Sequence, residues 1–412
     1  MRIIPVLAAL ASVTAAEPIA PRIVGCDEPV RSAKRGVCAN KLAPADFTAL
    51  APGVSWFYNW HFTTDLTPPE GLHFDYIPMV WGDFEGSYAG LEQRLASGPR
   101  PPAVFAINEP NLKGQAFITP EVCAKAYLRV KEIAGKHGIP VVGPHMALGS
   151  APGDSITAAD PLEKKDVTYS WFVPYLKAFA HFAGPAAQGA PVGVHAYKDI
   201  HELKWSIDAA HKLTGGPVWM TEFAQWSAAD ERVEIAFLMQ AVDHMERAPH
   251  VAGYAWFKER SDNARISLFT GEAGKLSALG EVYVRMPVHD ADVFYRLPGR
   301  LQVESYRVAD KAEIALTTDG DGFADMVSGG GGWLDLNVSV DAAGPMGLAL
   351  RIDAEPGTIA LSRAGKPLAS IKVDKAGWQT VTVKAQLPAG TQTVRVQLPD
   401  RRSRINWIEF SR

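Results

Sequence analysis

Cysteine is scarce in this chain, with three among 412 residues. That excludes a disulfide-built scaffold. No charge of one sign dominates: 41 Lys and Arg are scattered among 45 Asp and Glu, for a net charge of −4. Without a basic block, nucleic-acid binding is not expected. Beyond the N-terminus no run is apolar for the length of about 20 residues that a membrane helix needs, so no membrane association is expected. Internal repeats are absent, and Gly329–Gly332 is the one low-complexity tract. Hydrophobic residues, in contrast, make up 47% of the chain, enough for a large core and too many for a disordered protein.

The N-terminus reads MRIIPVLAALASVTAAEPIAP. Arg2, an apolar stretch from Ile3 to Val13 and small residues at Thr14, Ala15 and Ala16 form the pattern of a secretory signal over 1–16. The mature protein is expected to be secreted, periplasmic or extracellular, with a lead-in over 17–33. Export permits a Cys26–Cys38 bridge, although Cys38 and Cys123 also read as small core residues. No His stands beside any cysteine in sequence to act as a base, so no thiol chemistry is assigned.

From residue 34 to about 285, near-continuous apolar runs alternate with amphipathic segments. The runs are KRGVCAN, VSWFYNW, FDYIPMVWG, AVFAINEPN, IPVVGPHMAL, PVGVHAYK, PVWMTEF and VAGYAWFK. Runs of this kind suit strands buried on both faces. Between them, Thr119-Pro120-Glu121 places a cap, a first-turn proline and an acid ahead of a helical pattern. Further helices are expected over WFVPYLKAFAHF and AADERVEIAFLMQAVDHM. Strand and helix in alternation predict an α/β fold, a (β/α)8 TIM barrel over 34–285. A doubly wound open sheet is the runner-up, but no glycine-rich phosphate loop follows the first run. After a linker over 286–297, helical periodicity gives way to short alternating runs such as WLDLNVSV, TIALSRAG and WQTVTVKA. These predict an all-β sandwich of jelly-roll type over 298–412.

Barrels of this kind carry their chemistry at the C-terminal ends of the strands. The fourth run ends Ile107-Asn108-Glu109 and the seventh ends Thr221-Glu222. A carboxylate closing an apolar run needs a partner or a purpose. Strands four and seven lie on opposite sides of a barrel mouth, so Glu109 and Glu222 can approach across it. A separation of about 5–5.5 Å suits double-displacement glycoside hydrolysis, and a gap of about 6.5–9.5 Å suits inversion through a water. Mutual repulsion is expected to keep Glu109 protonated as the acid while Glu222 stays ionised. Asn108 is placed to bond a sugar hydroxyl, and Tyr197 to donate to Glu222. His195 taken alone reads as a core histidine, and Arg35 as structural. Asn59, Trp60, Trp81 and Trp256 also fall at run ends, where a rim of rings and polar groups would form a groove.

The runs KRGVCAN, VSWFYNW, YIPMVWG, INEPN, VHAY, TEF and YAWF, in this order, resemble glycoside hydrolase family 128 of the clan A hydrolases over most of 34–260. The resemblance implies a retaining endo-β-1,3-glucanase with Glu109 as acid/base and Glu222 as nucleophile. It implies that Asn108, His195, Tyr197 and Trp256 lie near the cleaved sugar, and that Asn59 and Trp60 contact the glucan. No cofactor for the chemistry is expected, and the partner is a β-glucan met by a monomer. The same carboxylates would serve a hydrolase of β-1,4-mannan or xylan, and a glucan-binding protein without turnover is a further alternative. The C-terminal part resembles a family 6 carbohydrate-binding module through QVESY, GLALRIDAE, GWQTVTV and INWIEF. There Trp378 and Asn406 match sugar-contacting positions, with Phe323 as the nearest second ring. That resemblance also implies a structural calcium, for which Glu304 is one candidate ligand. The string DGDG reads as a polar turn.

Overall fold

The computed structural model describes residues 20–412, so the expected signal segment 1–16 lies outside the described residues. Short apolar runs form parallel strands, as their double-sided hydrophobicity requires. Seven of them make one sheet in the order Asp75–Tyr76, Trp56–Tyr58, Arg35–Cys38, Val251–Trp256, Val218–Phe223, Val192–Ala196, His145–Ala147. Met79–Val80, Val104–Ala106 and Val141–Val142 make a second parallel sheet.

The two sheets share two chain segments, 75–80 and 141–147. Each segment is split by a proline, Pro78 or Pro144, which has no amide proton to give to a ladder. Both segments still bond to both neighbours. Ile77 donates to the Phe57 carbonyl at 3.0 Å and Phe105 to the Pro78 carbonyl at 2.9 Å. Gly143 donates to the Pro191 carbonyl at 3.1 Å and His145 to the Ile107 carbonyl at 2.9 Å.

Helices connect the strands and cover the sheets. Thr119 accepts from the Val122 amide and Pro120 opens the helix Pro120–Gly135. Its buried residues Cys123, Tyr127, Val130 and Ala134 recur every three or four positions, an apolar stripe facing the sheet. Asp199 caps Ile200–Thr214, and Asp230 caps Glu231–Arg247. Below the strands, the buried Arg35 donates to Glu246 at 3.1 Å and to the Tyr254 hydroxyl at 2.9 Å. It therefore ties helix to sheet and does not reach the opposite, C-terminal edge.

The C-terminal part forms two sheets, mostly antiparallel. Leu334, Leu336 and Val338 from one, and Leu348, Leu350 and Ile352 from the other, alternate into a common core, as in a sandwich. The expected linker is corrected here. Val293–Leu297 lies within 286–297 and is a strand of the first of these sheets, between Arg22–Val24 and Trp333–Val340. Its alternating VFYRL supplies three inward apolar residues, Val293, Tyr295 and Leu297, which a free linker would leave in water. The two parts also meet through side chains. The Tyr306 hydroxyl donates to Asp243 at 2.5 Å, and Arg247 donates to the Tyr306 hydroxyl at 3.0 Å. The Cys26–Cys38 bridge is not formed. Cys38 is buried in its strand beside Tyr58, whereas Cys26 lies against the Arg296 carbonyl.

Candidate active site

The strand Val104–Ala106 runs on into Ile107-Asn108-Glu109 at the edge of the sheets. Ile107 and Glu109 adopt φ of 63° and 42°, a left-handed region costly for side chains of this kind. Neighbouring strands hold them there. Ile107 donates to the Val80 carbonyl at 2.7 Å, Asn108 to Trp81 at 2.8 Å and Glu109 to His145 at 2.7 Å. Such strain costs on the order of 1–3 kcal/mol per residue and persists only when surroundings over-determine it. Trp60, at the end of Trp56–Tyr58, has a φ of 60° and is strained in the same way.

Glu222 ends Val218–Phe223 and faces Glu109. Both are buried, and His195 stands between them, its Nδ1 2.9 Å from Glu109 Oε1 and 3.5 Å from Glu222 Oε2. Glu222 accepts from Trp60 Nε1 at 2.7 Å, from the Tyr58 hydroxyl at 3.2 Å and, in a short contact, from the Tyr197 hydroxyl. Burial pushes the Glu222 carboxyl above its ordinary value, and Glu109 pushes the same way. The attraction of His195 and the donors Tyr197 and Trp60 oppose this without cancelling it. Glu222, the residue expected to stay ionised, is therefore itself raised, chiefly by its burial among Tyr58, Trp60 and Tyr197, whose donated bonds limit the rise. Burial alone would lower the His195 imidazole; the charge of Glu222 and the bond to Glu109 outweigh it and hold His195 above its ordinary value.

A buried relay fixes a proton on His195 Nε2. His145 Nε2 is 3.1 Å from the Val142 carbonyl, which can only accept, so that nitrogen carries the proton. Burial and the nearby His195 hold His145 well below its ordinary value, hence neutral. Its Nδ1 then accepts from Thr221 Oγ1 at 2.8 Å, and Thr221 accepts from His195 Nε2 at 3.0 Å. His195 Nδ1 is left to the carboxylates. The ligand atoms of Glu109, His195 and Glu222 lie within 4.8 Å of one another, and the hydrogen bond between His195 and Glu109 accounts for that closeness.

A cavity of about 670 Å³ opens over this centre, and Trp60, Trp81, Asn108, His195 and Tyr197 line it with the two carboxylates. Asn108 donates one amide proton to Gln115 Oε1 at 3.0 Å, and its buried Oδ1 has no protein partner. Two expected residues are not there. Asn59 turns into its own loop, accepting from Tyr76 at 2.7 Å and donating to the Thr63 carbonyl at 3.1 Å. Trp256 is wholly buried on the helix side, 5.0 Å from Phe223 ring to ring, with Nε1 donating to Ile266. Phe257, one residue on and so on the opposite face, takes its place in the cavity. Glu202, Trp226, Gln115 and Lys258 also line it and were not anticipated. A lone Trp just after TEFAQ was the available signal for Trp226.

The three candidates of the C-terminal part all border the loop 317–325, where Trp378 Nε1 donates to Thr318 Oγ1 at 3.3 Å, but they differ in exposure. Asn406 is fully buried, and its amide nitrogen lies within hydrogen-bond distance of Thr317 Oγ1, the Asp321 and Ala324 carbonyls and Asp325 Oδ1. It is corrected from a sugar contact to a clamp on the loop 317–325. Phe323 packs half-buried against the core. Trp378 is half-buried, with the Arg351 guanidinium 5.5 Å above its ring. The buried Glu304 has one oxygen without a protein partner. Calcium takes six to eight oxygens, usually with several carboxylates. Among the described residues the one group of three His, Cys, Asp or Glu side chains close enough to share a metal is Glu109, His195 and Glu222, so Glu304 is not joined by two further side chains of these kinds; the buried oxygens Gln302 Oε1 and Asn406 Oδ1 are, like one oxygen of Glu304, without a protein partner.

The glycosyl hydrolase catalytic core model matches residues 36–283. This chain belongs to the glycosyl hydrolase catalytic core family. Among solved structures, this glycosyl hydrolase is similar to a subgroup II GH128 endo-β-1,3-glucanase from Pseudomonas viridiflava. They share 30% identity over 63% of this chain and 100% of that one, with a TM-score of 0.51. It is also similar to the subgroup II GH128 endo-β-1,3-glucanase from Sorangium cellulosum, at 29% identity over 62% and 100%, with a TM-score of 0.50. At that identity and coverage the glycosyl hydrolase falls with them in GH128. No curated protein matches the chain.

Proposed function

We propose that the chain is a secreted retaining endo-β-1,3-glucanase, with its two parallel sheets forming one (β/α)8 cylinder closed through 75–80 and 141–147. The observation that carries this reading is the buried pair Glu109 and Glu222, with one oxygen of each no more than 4.8 Å from the other, at the floor of a ring-lined cavity. That spacing supports double displacement over inversion, which needs about 6.5–9.5 Å. The linkage is supported by the β-1,3-glucanase activity named for both similar enzymes.

In the first step Glu109 gives its proton to the glycosidic oxygen, the bond to the anomeric carbon breaks, and Glu222 forms an ester with that carbon. In the second, Glu109 takes a proton from water, the resulting hydroxide attacks the same carbon, and Glu222 leaves as carboxylate. His195 Nδ1 holds a proton against Glu109 between these roles. Trp60, Tyr58 and Tyr197 stabilise Glu222 each time it regains its charge. Asn108 lines the cavity and is proposed to bond a sugar hydroxyl there.

Residues 1–16 are proposed as the export signal. The C-terminal part is proposed as a carbohydrate-binding module with Trp378 as its contact ring. Neither a catalytic cofactor nor a second subunit enters this scheme. The test is digestion of a linear β-1,3-glucan with sizing of early products, beside β-1,4-mannan and xylan. Mid-sized oligosaccharides from the β-1,3 polymer, lost by several orders of magnitude in Glu222→Ala and Glu109→Gln, are expected. Unchanged release by both variants ends the reading.

A further inference from the structure

Trp171 and Trp205 are exposed, at 39% and 43%, although neither belongs to the catalytic centre. Their rings lie 5.5 Å apart at a tilt of 33°. Phe172, fully buried, meets Trp205 edge-on at 5.5 Å and anchors the pair from below. Both tryptophans adjoin the cavity. Trp171 pairs through its backbone with Gly149, which lines the cavity, and a Cβ on Gly149 would come within 2.9 Å of the Trp171 ring. Trp205 lies one helical turn beyond Glu202, another lining residue, on the same face of Ile200–Thr214. Among the described residues neither indole N–H has a protein partner. Elsewhere at the cavity the exposed Phe84 stacks on the lining Trp81, so rings continue outward there too.

We propose that Trp171 and Trp205 form an outer subsite that stacks sugar rings of the same β-linked glucan chain whose bond lies between Glu109 and Glu222. This rests on the function proposed above. The occupant follows from continuity: a chain leaving the cavity past Gly149 and Glu202 runs onto this surface, and aromatic faces with free N–H groups suit the apolar faces and hydroxyls of sugars. Such a subsite acts on long chains and is out of reach of short ones.

The experiment measures kcat/KM on a ladder of linear β-1,3-oligosaccharides, from trisaccharide upward, for the full chain, Trp205→Ala and Trp171→Ala. Each variant is expected to lose about five- to tenfold on the longest members and less than about twofold on the shortest, a stacking-sized effect. An equal loss at all lengths, no loss at any, or a changed oligomeric state in place of a length effect overturns the proposal. Trp205 is exposed within a helix, so a Trp205→Ala protein with an unaltered Tm decides the matter if Trp171→Ala misfolds. Failure of the parent reading shows separately, as a native chain that cleaves a different β-linked polymer or none. The same ladder built from that polymer, or calorimetric affinity across the ladder, then tests the platform by the same dependence on length.

Discussion

His195 Nε2 lies 3.0 Å from the hydroxyl of Thr221, and that hydroxyl lies 2.8 Å from a second buried imidazole, His145. Thr221 reaches no substrate; it dictates which nitrogen of His195 faces Glu109. The groups facing His195 are Glu109, Glu222, Thr221 and the neutral ring of His145. Thr221→Val keeps the shape and removes the acceptor for the Nε2 proton, so the imidazolium loses a partner and the His195 pKa falls. The basic limb of the pH profile of kcat/KM should move to lower pH, and kcat should fall about tenfold, the cost of one hydrogen bond to a charged group. Thr221→Ser should restore both. An unmoved limb in Thr221→Val would show that the relay does not govern the proton.

Glu304 bears on stability. Burial pushes its carboxyl from an ordinary 4.5 up to about 8. A raised folded-state pKa means that the folded chain keeps a proton that the unfolded chain has lost. The contribution is full below 4.5 and is lost as pH rises through about 8. Thermal unfolding should show a lower Tm at about pH 9 than at about pH 6, and Glu304→Gln should flatten that slope. If Glu304 is held by its proton, calcium or a chelator should leave the midpoint unmoved; a rise in Tm with calcium that Glu304→Gln abolishes would show that the carboxylate holds the metal instead.

Asn406 and Trp378 should separate. Asn406→Ala removes the clamp on 317–325 and should lower stability by about 1–3 kcal/mol, read as a drop in Tm. Trp378→Ala should leave Tm nearly unchanged and weaken retention on insoluble glucan. If Asn406→Ala loses retention at full stability, the clamp assignment is wrong.

The parts legible in the sequence are those where composition and cost coincide. Glu109 and Glu222 stand out because a carboxylate at the end of an apolar run is expensive to bury. His145 carries a similar cost within IPVVGPHMAL, but it sits inside its run, and a neutral imidazole there is cheaper than a charge. Trp256 misleads because a strand buried on both faces carries rings on both, so alternation cannot say which of Trp256 and Phe257 faces the cavity. Asn406 misleads because a motif position carries no information on burial. Val293–Leu297 is hidden by its shortness and by the prolines flanking it at Pro287 and Pro298.

The pairing of Arg22–Val24 with Val293–Leu297, reinforced by Arg22 on Asp292 at 2.9 Å, has a practical consequence for dissecting the molecule. A truncation ending near residue 285 would strip Arg22–Val24 of the one strand it pairs with among the described residues and leave that segment unpaired. Excising the hydrolytic half cleanly therefore calls for trimming both termini together.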